Sequence, residues 1–164
     1  MKKTALLALL LLATSLVAQP GPKGGAGNGP ANSGAGTPAA PTVSPLATYV
    51  ASLPMEALSS VEATQLASLR EEEKLARDVY RALFAVNGDR AFANIAAAEQ
   101  RHMDDVKLLL DRYGLADPAA TTAPGEFKDA RLASLYVDLV ARGKASLVDA
   151  LKVGATIEDL DLAD

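Results

Sequence analysis

The feature that most constrains this chain is a set of acids standing where an apolar helical seam calls for leucine. Leu66, Leu69, Glu73, Ala76, Tyr80 and Leu83 follow one another at alternating steps of three and four. That spacing keeps one face of a helix turned toward a partner. Phe92, Ile95, Glu99, His102, Val106, Leu109 and Tyr113 repeat the pattern. So do Leu147, Leu151, Gly154, Glu158 and Asp161 near the end of the chain. An ionised carboxylate in such a seam costs several kcal/mol unless a counter-charge or a metal ion meets it. The chain must therefore fold so that Glu73, Glu99, His102 and Glu158 find partners between helices.

The boundaries of these helices are written locally. Ser59-Ser60-Val61-Glu62 is a capping box, in which serine accepts early amide hydrogens and the acid three residues on reaches back. The spacing predicts a helix from there to about Val86, stopped by Asn87-Gly88. A second helix is expected from Asp89 to Tyr113, with Gly114 as its stop. A loop with Pro118, Pro124 and Gly125 follows, then a helix over Phe127 to Arg142 whose Leu132, Leu135, Tyr136 and Leu139 are wholly apolar. Ser146 and Asp149 open the last helix. Glu71 and Glu72 lie further round the first helix and are expected in solvent. The fold class is all-α, an up-down helical bundle. Aromatic residues make up only 4% of the sequence and alanine and leucine dominate, which speaks against a β-sandwich.

The N-terminal third is of another kind. Lys2 and Lys3 precede an apolar run from Thr4 to Val17, shorter than the roughly 20 residues that span a bilayer. This predicts a secretory signal peptide over residues 1–18, cut after Ala18; an uncleaved N-terminal anchor is the alternative. The expected location is secreted or periplasmic, with no stable membrane span after processing. Residues 19–45 hold seven Gly and six Pro, too little apolar surface to offset the entropy of ordering. Residues 19–57 are therefore expected to be a flexible linker, with the folded domain at 58–164. There is no cysteine, which excludes disulfides, thiolate zinc sites, a cysteine nucleophile and a lipoprotein anchor. A formal charge of −4 argues against a nucleic-acid surface. Phosphate-loop, triad and dinucleotide patterns are absent, since Gly24-Gly25-Ala26-Gly27 precedes no helix.

Carboxylates and an imidazole facing one another between helices form a ligand set for a hard or borderline ion such as iron, manganese or zinc. Glu99 and His102 form a Glu-x-x-His unit, which di-iron bundles combine with single glutamates from partner helices. Each residue also has a plainer reading. His102 alone would be a hydrogen-bonded boundary histidine. Glu73 would pair with Lys74 or Arg77 on its own helix, and Glu158 and Asp161 would be solvated.

The run Arg70-Glu71-Glu72-Glu73-Lys74-Leu75-Ala76-Arg77-Asp78-Val79-Tyr80 resembles the signature of a bacterial and archaeal family, the domain of unknown function 2202. Asn94-Ile95-Ala96 through Glu99-Gln100-Arg101-His102-Met103, the Tyr113-Gly114-Leu115 turn and the stretch from Val153 to Leu160 resemble it too. The resemblance covers about residues 58–164 and implies a ferritin-like fold similar to rubrerythrin and bacterioferritin. It implies that Glu73, Glu99, His102 and Glu158 are metal ligands, with Phe127 to Arg142 in the crossover between core helices. It also implies a fourth core helix after the acidic stretch, which this sequence does not reach. The bundle is then expected to be incomplete at the C-terminus, with an open face covered by a second copy or a protein partner.

Two function classes follow. The first is an exported ferritin-like protein with a carboxylate/histidine site for iron or a similar divalent metal, handling metal or oxidant. Tyr80 would then be a nearby redox group or core packing. The second is a non-enzymatic helical interaction module whose metal site is degenerate. The sequence names no substrate.

Overall fold

The computed structural model describes residues 45–161. The expected signal peptide, residues 19–44 of the expected linker and residues 162–164 lie outside the described residues. The chain divides into one unit ending at Pro54 and another beginning at Met55. The described part of the first unit contains helix α1, Pro45–Ser52, inside the stretch assigned to the linker. Proline at the first position of a helix costs nothing, because that N–H has no intrahelical partner. The Leu-Ala-Thr-Tyr-Val-Ala run then carries the turns.

The second unit is built from four helices: α2 (Ser60–Asn87), α3 (Arg90–Arg112), α4 (Ala130–Gly143) and α5 (Leu147–Asp161). No strand occurs among the described residues. The capping box at the start of α2 is formed as expected: Ser59 Oγ accepts from Glu62 N–H, and Glu62 Oε2 accepts from Ser59 N–H at 2.7 Å. Gly88 ends the helix at φ 69°, donating its N–H to Phe84 O; glycine reaches this left-handed region without a Cβ penalty. Asp89 and Asp129 cap α3 and α4 through their carboxylates. Phe127, expected inside the third helix of the bundle, stands in the loop before it. Its ring packs against Tyr136 at 5.8 Å.

Helix α2 is the axis of the unit and touches each of the other three, whereas α3 packs only on α2 among the described helices. The core joins Leu75, Ala76, Val79, Tyr80 and Leu83 of α2 to Phe92 and Ala96 of α3, Leu132, Leu139 and Val140 of α4, and Ala150, Val153 and Ile157 of α5. Helix α4 thus supplies core side chains rather than a mere connection.

The seam read for the last helix is corrected. Leu147 and Leu151 are 45% and 55% exposed, while Ala150, Val153 and Ile157 are buried. The buried stripe is rotated by one residue, about 100°, from the leucine stripe. A Cβ on Gly154 would stand 3.4 Å from Tyr80 Oη, and one on Gly143 would collide with Leu83 Cδ2. Gly143 lets the α4–α5 corner press against Leu83 of α2, and from that corner it is Ala150, Val153 and Ile157 that face the core. No helix among the described residues is long and apolar enough to cross a membrane.

Candidate metal centre

Antiparallel pairing of α2 and α3 through a two-residue turn, Gly88-Asp89, sets Glu73 opposite Glu99 and His102. One ligand atom from each of these three residues lies within 4.8 Å of the other two. His102 Nδ1 is 2.9 Å from Glu99 Oε2 and 3.4 Å from Glu73 Oε2. Their side chains are 17%, 8% and 12% exposed, for His102, Glu99 and Glu73 respectively: shielded, yet reachable.

Glu73 pairs with neither Lys74 nor Arg77, which both turn to Asp78. Burial raises the Glu73 carboxyl above its usual range; the bond and charge of His102 oppose this, and the neighbouring Glu99 carboxylate adds to it. His102 is pushed up to about 10, first by its hydrogen bond to Glu73 and then by that to Glu99, against its own desolvation. At neutral pH the imidazole therefore holds a proton on both nitrogens, and the Nδ1 proton sits between two carboxylates. A cation already occupies the centre of the cluster in chemical terms.

The donor set fits a metal ion. Two donors at about 2.1 Å from an ion and at right angles are about 3 Å apart, close to the two distances from Nδ1. Two carboxylates and one imidazole suit iron, manganese or zinc, and three protein donors leave coordination positions open.

Glu158 is not brought into this group. It lies on α5, exposed at the edge of the buried stripe, and its Oε1 is 3.2 Å from the phenol Oη of Tyr80. Tyr80 is seven residues beyond Glu73 on α2, about 10 Å along the axis. Glu158 thus sits at a different level of α2 from the three-residue group.

The expectation that Glu71 is solvated is also corrected. Glu71 is buried because its carboxylate accepts the backbone N–H groups of Lys128 and Asp129, at 2.6 and 3.1 Å. It belongs to a polar ladder that sequence reasoning missed. Arg70, Lys74 and Asp78 sit four apart on α2, all buried. The Arg70 guanidinium forks onto Asp117 at 3.1 and 3.0 Å and donates to Met103 O. Lys74 Nζ donates to Asp78 Oδ2, Ala123 O and Glu126 O, and lies 4.4 Å from the Phe127 ring centre. Asp78 also accepts Gly125 N–H at 2.9 Å. The i, i+4, i+8 spacing of these charges was the available signal; their partners in the α3–α4 loop lie 47 to 52 residues away in the sequence.

A bundle of this kind, with an acid-histidine cluster between its two longest helices, finds its relatives among uncharacterized proteins. The chain belongs to the family described as an uncharacterized protein domain, DUF2202, which matches residues 62–164. It is 51% identical over 116 residues to the uncharacterized protein MJ0754 of Methanocaldococcus jannaschii, covering 71% of this chain and 63% of that one. The crystal structure of the hypothetical protein MJ0754 is similar, with a TM-score of 0.67 over 68% of this chain and 64% of the other. The chain thus spans less than two thirds of that relative's length.

Proposed function

We propose that this is an exported ferritin-like protein whose α2–α3 pair holds iron or a similar divalent ion through Glu73, Glu99 and His102. The observation that carries this reading is the convergence of three donors from two helices on one point, with Nδ1 flanked by both carboxylates. The ferritin-like relationship and export rest on the sequence resemblance and on the basic-apolar N-terminus. A bound iron supplies one-electron chemistry with oxygen or peroxide; zinc would supply charge alone. Glu73 and Glu99 contribute the negative charge that such an ion needs. His102 releases its Nδ1 proton to make the nitrogen a ligand, so binding is coupled to proton release. Glu158 stands outside the ligand set and accepts from the Tyr80 phenol.

The test is metal content after purification without chelators, followed by titration with Fe²⁺, Co²⁺ and Zn²⁺ by calorimetry. Wild-type protein is expected to bind, with a proton released per ion, and Glu73→Gln, Glu99→Gln and His102→Gln to lose binding. A wild type that binds none of these ions overturns the reading. The alternative, a helical interaction module, is favoured by one observation: Leu147, Val148 and Leu151 of α5 are 45%, 60% and 55% exposed on neighbouring positions. Such a strip suits a protein partner, and sedimentation of the full chain reads its self-association.

A further inference from the structure

Two arginines bracket Glu73 on α2, Arg70 three residues before it and Arg77 four after. Each reaches across to α3 at the residue that follows a candidate ligand. Arg70 Nη1 donates to the carbonyl of Met103, next to His102. Arg77 Nη1 donates to Gln100 Oε1 at 2.8 Å, next to Glu99. Each guanidinium is in turn held by an aspartate. Asp117 takes the Nε and Nη2 of Arg70, and Asp78 takes the Nε of Arg77 at 2.9 Å. Both aspartates also accept backbone N–H groups of the α3–α4 loop, from Ala119 and Gly125. The Gly88-Asp89 turn sets the pairing of α2 and α3 at one end of the hairpin, roughly 20 Å along the axis from Glu73, and leaves the far part to be held by other contacts. Here α3 packs on no described helix but α2. One residue of slip is about 1.5 Å, enough to carry His102 away from one of its two carboxylates.

We infer that Arg70 and Arg77 are positioning residues of the metal centre, bracing α3 against α2 so that Glu73, Glu99 and His102 stay in register. This inference rests on the metal reading above. A fork-shaped guanidinium is needed because each sets two nitrogens, Nε and Nη2, on its aspartate while Nη1 points away to the α3 acceptor; a single ammonium nitrogen does not reproduce that geometry. Outer partners that orient metal ligands are typically worth a factor of about 10–100 in affinity.

The experiment uses the full chain with Co²⁺ as the probe, read by its visible absorption and by calorimetry. Arg70→Lys, Arg77→Lys and Asp117→Asn are compared with wild type and with the control Arg81→Lys, whose contact to Gln100 is long at 3.4 Å. The braced variants are expected to keep their far-ultraviolet circular dichroism, weaken Co²⁺ binding about 10–100-fold and change the cobalt spectrum. The control is expected to change neither. If the brace variants that fold keep both wild-type affinity and wild-type spectrum, the positioning role is overturned while the metal reading stands. A wild type that binds no Co²⁺ overturns both. Should Arg70→Lys fail to fold, Arg77→Lys and Asp117→Asn decide.

Discussion

The two flanks of α2 handle buried charge in opposite ways. On one flank Arg70, Glu71, Lys74 and Asp78 are buried with their hydrogen-bonding groups committed to the α3–α4 loop, to Met103 O of α3 and to one another. On the other, Glu73 and Glu99 meet a single imidazole, two negative groups against one removable proton. The first arrangement is saturated and balanced, so removing any member strands a charge. The second is short of positive charge and held together by a proton, which on the proposed reading gives way to a metal ion. Burial alone does not separate structure from function in this molecule. What separates them is whether the partner is fixed by a covalent chain or free to leave.

The sharpest way to break this contrast is on the saturated flank. Asp78→Ala removes the counter-charge of the Lys74 ammonium and an anchor of Arg77 and Gly125, and is expected to cost about 3–5 kcal/mol in urea unfolding. Glu71→Ala leaves two backbone N–H groups at the entrance of α4 without their acceptor and is expected to cost about 1–3 kcal/mol. A loss below 0.5 kcal/mol in either would show that the ladder is not saturated as described.

Acidity sharpens the comparison next. Burial works to raise the Asp78 and Asp117 carboxyls, but the bonds from Lys74, Gly125 and Arg77 to the first and from Arg70 and Ala119 to the second hold both below their usual range. Their contribution is fully present above the unfolded value of about 3.9 and is lost as pH falls through their lowered native values. His102 runs the other way. Its stabilisation is fully present below its unfolded value near 6.5 and is lost as pH rises through about 10. The metal-free protein is expected to be less stable at pH 10 than at pH 7 by up to a few kcal/mol, and to melt correspondingly lower. His102→Gln should flatten that slope while leaving the acid limb unchanged, as followed by thermal circular dichroism. The smallest effect is expected at Glu73→Gln. Relief of a buried carboxylate offsets the loss of its bond to His102, so stability changes by less than about 1 kcal/mol while metal binding disappears. A large loss there would place Glu73 with the saturated flank.

The readable part of this molecule was what period and local chemistry set directly. The capping box at Ser59, the Gly88 stop and the three-four spacing that turns Glu73 toward Glu99 and His102 follow from neighbours on one helix. Helix α5 was not readable in the same way. Counting leucines favours the stripe of Leu147 and Leu151, whereas the tight corner at Gly143 leaves Ala150, Val153 and Ile157 facing the core. The ladder was hidden for a different reason. Arg70 and Lys74 look like surface charges until a loop 47 and more residues away folds back to accept from them. Helix α1 sits in a stretch where proline and glycine richness outweighed the helix-starting position of Pro45.

The short turn between α2 and α3 has a consequence for the order of events in folding. The three candidate ligands belong to a helical hairpin closed by Gly88 and Asp89 alone, so bringing them together costs little loop entropy. The braces to Asp117 and Gly125, and the core contacts of α4 and α5, require longer closures and come at higher contact order. The acid-histidine cluster needs no residue beyond His102, so the hairpin can close it at a moment when α4 and α5 are not yet in place. A metal ion present at that moment would meet the hairpin as a nucleus, and the rest of the domain would condense around it.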